Sequence, residues 1–332
     1  AMVNSFKKGG ELVLTSVNYQ RTPNPLKISL EGFTQAWDGE PIAQANGTID
    51  YPVGAKRIVA QGYAIDNVLA LGIKPVAIVQ LTQPLPAAWQ RELLKDVPVI
   101  KAPGATSLPA EEIATYQPDL FVGDHRVVKG ENFAAVSGVT KVLGGIAATG
   151  PDSGWNAQLL ALGRILGEEA EAKRVIAADH DRVTGFAQRY PGLKGKTGFV
   201  AQYAAAASSF NVIASPQDPT NLFLAELGLT VPKAIRDEPR FVSPATRGMV
   251  SLELLPRVGA NFMAIYPNGA TGEDLLQLPG YSALPQVQRG TAVVADLDLT
   301  YSVYQPTSLS RAWFLQTMEP TLAKVAEQPL VE

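Results

Sequence analysis

From Lys56 onward the chain alternates short apolar runs with helix-patterned segments, and this rhythm narrows the possible folds more than any other feature. Arg57-Ile58-Val59-Ala60 is followed by an apolar-periodic stretch from Ala64 to Leu71 that stops at Gly72, and then by Pro75-Val76-Ala77-Ile78-Val79. A glycine just past the last periodic residue is a helix stop, so the order is strand, helix, strand. Val97-Pro98-Val99-Ile100, a helix around Ala110 to Tyr116, and Asp119-Leu120-Phe121-Val122 continue it. Apolar runs without polar alternation belong to strands covered on two sides, which predicts a mostly parallel sheet between layers of helix.

Residues 151–190 interrupt the rhythm. Trp155, Leu159, Leu162 and Leu166 share one helical face, and a second helical pattern runs from Glu168 to Tyr190 with Glu169 and Lys173 paired at i, i+4. So long a helical stretch between two alternating halves predicts a connector, ended by Pro191-Gly192. Alternation resumes with Thr197 to Ala201, Asn221 to Leu227, Phe262 to Ile265 and Thr291 to Ala295. The halves echo one another: Ala70-Leu71-Gly72-Ile73 matches Glu226-Leu227-Gly228-Leu229, and Glu111 and Glu253 each stand ten residues before a strand residue, Phe121 and Met263. The expectation is a pair of α/β lobes, 1–152 and 191–332, bridged by helices over 153–190. Residues 11–50 read as a β-rich opening segment of the first lobe, broken by Pro23, Pro25 and Asp38-Gly39.

With 332 residues, 46% of them hydrophobic, the chain has enough apolar surface for two domains. A charged fraction of 18% and a net charge of −3 provide no basic surface for nucleic acid or anionic lipid. No apolar stretch approaches the roughly 20 residues that span a bilayer. The absence of cysteine fits an exported protein built without disulfides. Ala1-Met2 ahead of a polar segment reads as an expression scar at a shortened start, which leaves room for a removed export signal.

Four segments carry a resemblance to a known family. They are Tyr51-Pro52 through Lys56 to Ala60, Asp66-Asn67-Val68 through Lys74-Pro75-Val76, Glu111-Glu112-Ile113 through Leu120-Phe121-Val122, and Val250-Ser251-Leu252-Glu253-Leu254-Leu255. Together they resemble the siderophore- and cobalamin-type periplasmic binding proteins of ABC importers, from about residue 50 to the C-terminus. The resemblance implies an α/β fold of two Rossmann-like lobes with mostly parallel sheets, joined by a long rigid helix and closing with a small hinge motion. It implies a non-enzymatic substrate-binding component that captures a ferric siderophore in the interlobe cleft and delivers it to a membrane permease. It further implies an exported, monomeric lipoprotein, held at the membrane only through an N-terminal lipid. A haem- or cobalamin-binding protein of the same fold is the alternative. In the family a glutamate of each lobe contacts basic permease residues, which assigns that role to Glu111 and Glu253. On the residues alone, a carboxylate at a helix start, with Ser251 as a cap for the second, complements the helix dipole for about 0.3–1 kcal/mol.

Ligands of open α/β sheets bind outside the carboxyl ends of the strands, so the loops there are the candidate cleft. A large, partly charged metal chelate calls for aromatic faces and a few fixed cations. Tyr63, Arg126, Trp155, Tyr203, Arg240 and Phe241 answer that description, with Lys101 and Arg247 as further cations. So few cations suit a hydroxamate or mixed siderophore rather than a highly charged tricatecholate. Direct metal capture needs three or four converging ligands, and the two histidines, His125 in a cleft loop and His180 within the connector, do not supply them. No cofactor is expected, since the iron arrives already wrapped in its chelator. No dinucleotide, P-loop, nucleophile-elbow or zincin motif stands in a context that supports catalysis.

Overall fold

The computed structural model describes residues 10–17, 23–30, 42–44, 47–49, 54–81, 85–104, 107–124, 128–146, 154–237, 248–250 and 252–331. Two antiparallel pairs open the chain: β1 (Glu11–Val17) with β2 (Pro23–Ser29), and β3 (Ile42–Gln44) with β4 (Gly47–Ile49). Strand β2 contains Pro23 and Pro25, which the sequence reading took as breaks. A two-stranded ribbon leaves one edge of each strand unpaired, so a proline there forfeits no ladder bond. In the ribbon's register Leu12 faces Ile28 and Leu14 faces Leu26, so these four share one face. Leu14, Leu26 and Ile28 on it are exposed.

The predicted alternation then appears as β5 (Ile58–Gln61), α1 (Ala64–Ala70), β6 (Ala77–Gln80), β7 (Val99–Lys101), α2 (Ala110–Thr115), β8 (Leu120–Val122), α3 (Gly130–Ser137) and β9 (Lys141–Leu143). All five strands are parallel, in the order β7-β6-β5-β8-β9. The chain runs outward from β5 to β7 and returns to continue on the other side of β5. That reversal places a topological switch point between β5 and β8, where the loops after the two strands part and leave a crevice.

Helix α4 (Gly154–Leu166) packs Trp155, Leu159, Leu162 and Ile165 into the first lobe's core. Helix α5 (Glu169–Arg189) does the bridging. Ala172, Val175 and Ile176 near its start pack on the first core, and Val183 and Phe186 near its end on the second. Its 21 residues span about 30 Å.

The second lobe comprises β10 (Lys196–Ala204), β11 (Ser209–Val212), α6 (Pro219–Glu226), β12 (Leu229–Thr230), α7 (Lys233–Arg236), β13 (Gly248–Val250), β14 (Phe262–Asn268), α8 (Gly272–Leu276), α9 (Pro285–Gln288), β15 (Ala292–Val294), α10 (Leu297–Tyr304) and α11 (Ser308–Glu327). Its sheet runs β13-β11-β10-β14-β15, with the short β12 beside the start of β10. Strands β10, β12, β14 and β15 are parallel, whereas β11 runs antiparallel to β10 and, by pairing antiparallel with β11, β13 regains the common direction at that edge. A parallel neighbour requires a crossover, but a short turn after Ala207 returns the chain beside β10 as a hairpin. The described residues include no helix long and apolar enough to cross a membrane.

Candidate functional site

The crevice of the first lobe is built by glycines and buried amides. Gly62, after β5, has φ +65° and lies so close to the loop after β8 that a Cβ there would stand 2.8 Å from the Asp124 Cβ. Across from it, a Cβ on Gly123 would meet the Val128 side chain at 2.3 Å. At Gly62 only a residue without a side chain lets the two loops close on one another, and at Gly123 only such a residue leaves room for Val128 and Phe121.

Four buried amide side chains fix these loops. Gln61 Oε1 accepts from the Asp124 backbone N–H at 3.0 Å. Gln158 Nε2, on α4, donates to the carbonyls of Gly123 and Gly144, both at 2.9 Å. Asn67 Nδ2, on α1, donates to Trp155 O at 3.1 Å and Gln158 Oε1 at 3.0 Å. Gln44, on β3, donates to Val142 O at 3.1 Å and accepts from Gly144 N at 2.8 Å. The carboxyl ends of β5, β8 and β9 are thereby tied to the start of α4, and each buried amide makes at least one hydrogen bond, although Asn67 Oδ1 is left without a partner.

The second lobe reaches this crevice through polar contacts. Gln305, just after α10, donates from Nε2 to Asp124 Oδ2 at 3.1 Å. Asp298, in the first turn of α10, accepts from Ala88 N at 3.0 Å and pairs with Arg91 at 2.9 Å. Trp89 and Trp313 bring their ring centroids to 5.5 Å. Asp66, only 2% exposed, accepts from Trp89 Nε1, from Gln90 Nε2 at 2.6 Å and from Thr307 Oγ1 at 2.5 Å. Burial pushes the Asp66 carboxyl above the usual range, against the opposing pull of its donors Thr307, Gln90 and Trp89.

Of the six residues expected to hold ligand, Tyr63, Trp155 and Tyr203 are described. Tyr63 caps the start of α1 at the switch point, Trp155 opens α4, and Tyr203 lies next to the last residue of β10. Each is more than nine-tenths buried against its own lobe's core, Tyr63 and Trp155 in one and Tyr203 in the other, so each leaves little of its ring for a ligand. Arg126, Arg240, Phe241, His125 and Arg247 lie outside the described residues, as does Ser251. Lys101 is exposed at the end of β7, and His180 is exposed on α5. Glu111 is exposed in the first turn of α2. Glu253 is also exposed, but its helix, Leu252–Arg257, is a 3₁₀ helix.

Asp66, Gln158, Gln305 and Asp298 are not among the residues that the sequence marks as site candidates. A signal existed for the first: Asp66-Asn67 are the only polar residues within the apolar run of α1, and both are buried. No three metal-binding side chains converge among the described residues.

Comparison with known proteins decides the family. The model of the periplasmic binding proteins matches residues 58–230, more than half of the chain. The chain belongs to the periplasmic binding protein family. Several members of known structure share its fold. A periplasmic solute binding protein from Mycobacterium smegmatis aligns with TM-score 0.67 and 22% identity, over 86% of this chain and 98% of its own. PiaA from Streptococcus pneumoniae TIGR4, in complex with ferrichrome, gives 0.69 and 20% over 86% and 98%. SirA from Staphylococcus aureus, complexed with staphyloferrin B, gives 0.69 and 20% over 85% and 98%. At such identities the likeness is one of fold. A model of the Invasion associated locus B (IalB) protein matches residues 1–41, ahead of the periplasmic binding protein match. A search of curated proteins gave no match.

Proposed function

We propose that this periplasmic binding protein is the substrate-binding component of an ABC-type importer and carries a ferric siderophore, of hydroxamate or mixed type, in the cleft between its lobes. The observation that carries the reading is the switch point between β5 and β8, where Tyr63 and Asp124 stand at the crevice and Gln305 of the other lobe reaches Asp124. Two proteins of the same fold are named as complexes with ferrichrome and staphyloferrin B, which supports a siderophore as the ligand class.

In this reading the small exposed parts of Tyr63, Trp155 and Tyr203 give apolar contact, and Arg126, Arg240 and Phe241 complete the site from the loops that follow β8 and precede β13 in sequence. The lobes are taken as 1–152 and 191–332. Glu111 and Glu253 face the permease, one from each lobe. The protein acts as a monomer anchored by an N-terminal lipid, and the iron is cargo rather than a resident cofactor. A titration following tryptophan fluorescence with iron-loaded hydroxamate, catecholate and carboxylate siderophores tests the reading, with haem and cobalamin as arms followed by absorbance. Saturable binding of a hydroxamate or mixed siderophore is expected, with little response to ferric ion alone. Binding of haem or cobalamin alone, or of none of the panel, overturns it.

A further inference from the structure

Helix α5 is not the sole link between the lobes. Helix α11 places Phe314, Leu315, Met318, Leu322 and Val325 in the second lobe's core, but its first turn also touches the other lobe, where Leu309 packs on the first core. The crossing is fixed at Thr307, the cap of α11. Its Oγ1 accepts from Ser310 N at 3.1 Å, and the Thr307 N–H donates to Ser310 Oγ at 2.9 Å. The one proton of the Thr307 hydroxyl goes to Asp66 Oδ2 at 2.5 Å, across 241 residues of sequence. Asp66 is itself held by Gln90 and Trp89, and Trp89 packs against Trp313 of α11 with the rings tilted at 46°. Next to Asp66 on α1, Asn67 binds α4, which holds Asp66 in place from the first lobe's side.

We propose that Asp66 is a positioning residue for ligand capture: by holding Thr307, it fixes the angle at which the second lobe faces the crevice before any ligand arrives. The carboxylate is buried, so its bond to Thr307 has no competition from water, and an unmet hydroxyl there is unfavourable. A pre-set cleft spends less of the ligand's interaction on ordering the lobes. The inference concerns the empty protein and holds whatever the ligand is, so it stands or falls separately from the siderophore reading.

The chain has no cysteine, so Glu131→Cys on α3 and Lys233→Cys on α7, both at exposed positions, give one spin label per lobe on the full chain. The distance distribution between labels, measured without ligand, is expected to be a single narrow population. Thr307→Ala and Asp66→Ala each widen it at least twofold. Thr307→Ser, which keeps the hydroxyl, restores the narrow width. Ser310→Ala removes the other half of the same capping box without touching Asp66, and leaves the width unchanged. A wild-type width in Thr307→Ala, or equal widening in Ser310→Ala, overturns the proposal. Should Asp66→Ala not fold, the Thr307 and Ser310 variants decide it alone.

Discussion

Arg311 shows how far a single residue can organise the second lobe. Its guanidinium, almost wholly buried, pairs with both oxygens of Glu226 at 2.9 and 2.7 Å, lies 3.1 Å from Asp179, and stacks over the Phe223 ring at 4.5 Å. One residue of α11 thus gathers carboxylates from α5 and α6. Removing Arg311 strands the buried Asp179 in a medium that solvates charge poorly, whereas Glu226, 42% exposed, keeps its contact with water. Arg311→Met is therefore expected to lower the unfolding free energy by about 3–5 kcal/mol, measured by urea denaturation. Asp179 makes a second prediction. Burial outweighs Arg311 and Arg182 and pushes its carboxyl up to about 6, with Glu226 adding to the rise and His180 opposing it. Its folded value lies above the unfolded one of 3.8, so the proton favours the folded state. The cost of ionising Asp179 is absent below about pH 4, grows as pH rises, and is complete above the folded value, on the order of 3 kcal/mol. Between pH 4 and 7 the thermal midpoint of the wild type should fall relative to that of Asp179→Asn, where this ionisation is gone. Parallel pH profiles for the two proteins would contradict the assignment.

At the scale of elements, the crevice depends on how strands end. Strands β5, β8 and β9 stop at loops where the N–H groups of Asp124 and Gly144 and the carbonyls of Gly123 and Gly144 are met by side chains, those of Gln61, Gln158 and Gln44. Gln158→Leu keeps much of the volume but leaves the carbonyls of Gly123 and Gly144 and the Asn67 amide short of partners. A loss of about 2–3 kcal/mol is expected, within the cost of leaving buried polar groups unmet. Hydrogen exchange should quicken at Gly123, Asp124 and Gly144 while β14 stays protected. Equal protection in the variant would show that the loops are held by other contacts. The strands and helices that frame this crevice were legible in the sequence, because β5, α1, β6 and α5 each write their period into neighbouring residues. The ties were not legible. Gln158 reaches 35 residues back to Gly123, and Asp66 reaches 241 forward to Thr307, so no local pattern carries them. The reversed strand β11, antiparallel to both β10 and β13, escaped for a related reason: strand direction depends on the connection, whereas the apolar run looks alike in parallel and antiparallel neighbours.

As a whole molecule, the protein presents two lobes tied twice, through α5 and through the first turn of α11, with one exposed glutamate of the repeated motif on each lobe. Glu111 and Glu253 invite two explanations that differ in what they demand of the helix behind them. A dipole needs many aligned peptides to accumulate charge at its end, and these carboxylates stand on helices of six residues each, one of them 3₁₀. Neither carboxylate is paired with a side chain among the described residues. Local stabilisation is thus a weak account of them, and the proposed contact with basic permease residues makes a different demand that can be tested. Changing both to Gln should move stability by no more than about 0.5 kcal/mol and leave ligand affinity unaltered, since neither is among the proposed ligand contacts. Uptake by cells carrying the importer should fall sharply in the double variant and only modestly in either single one. Two contacts held at a fixed separation by a doubly tied pair of lobes raise each other's effective concentration, so losing both removes more than the sum of two weak pairs. Weakened lobe ties should then lower uptake even with both glutamates intact, by spoiling the separation. Normal transport by a folded, ligand-binding double variant would remove Glu111 and Glu253 from the permease interface.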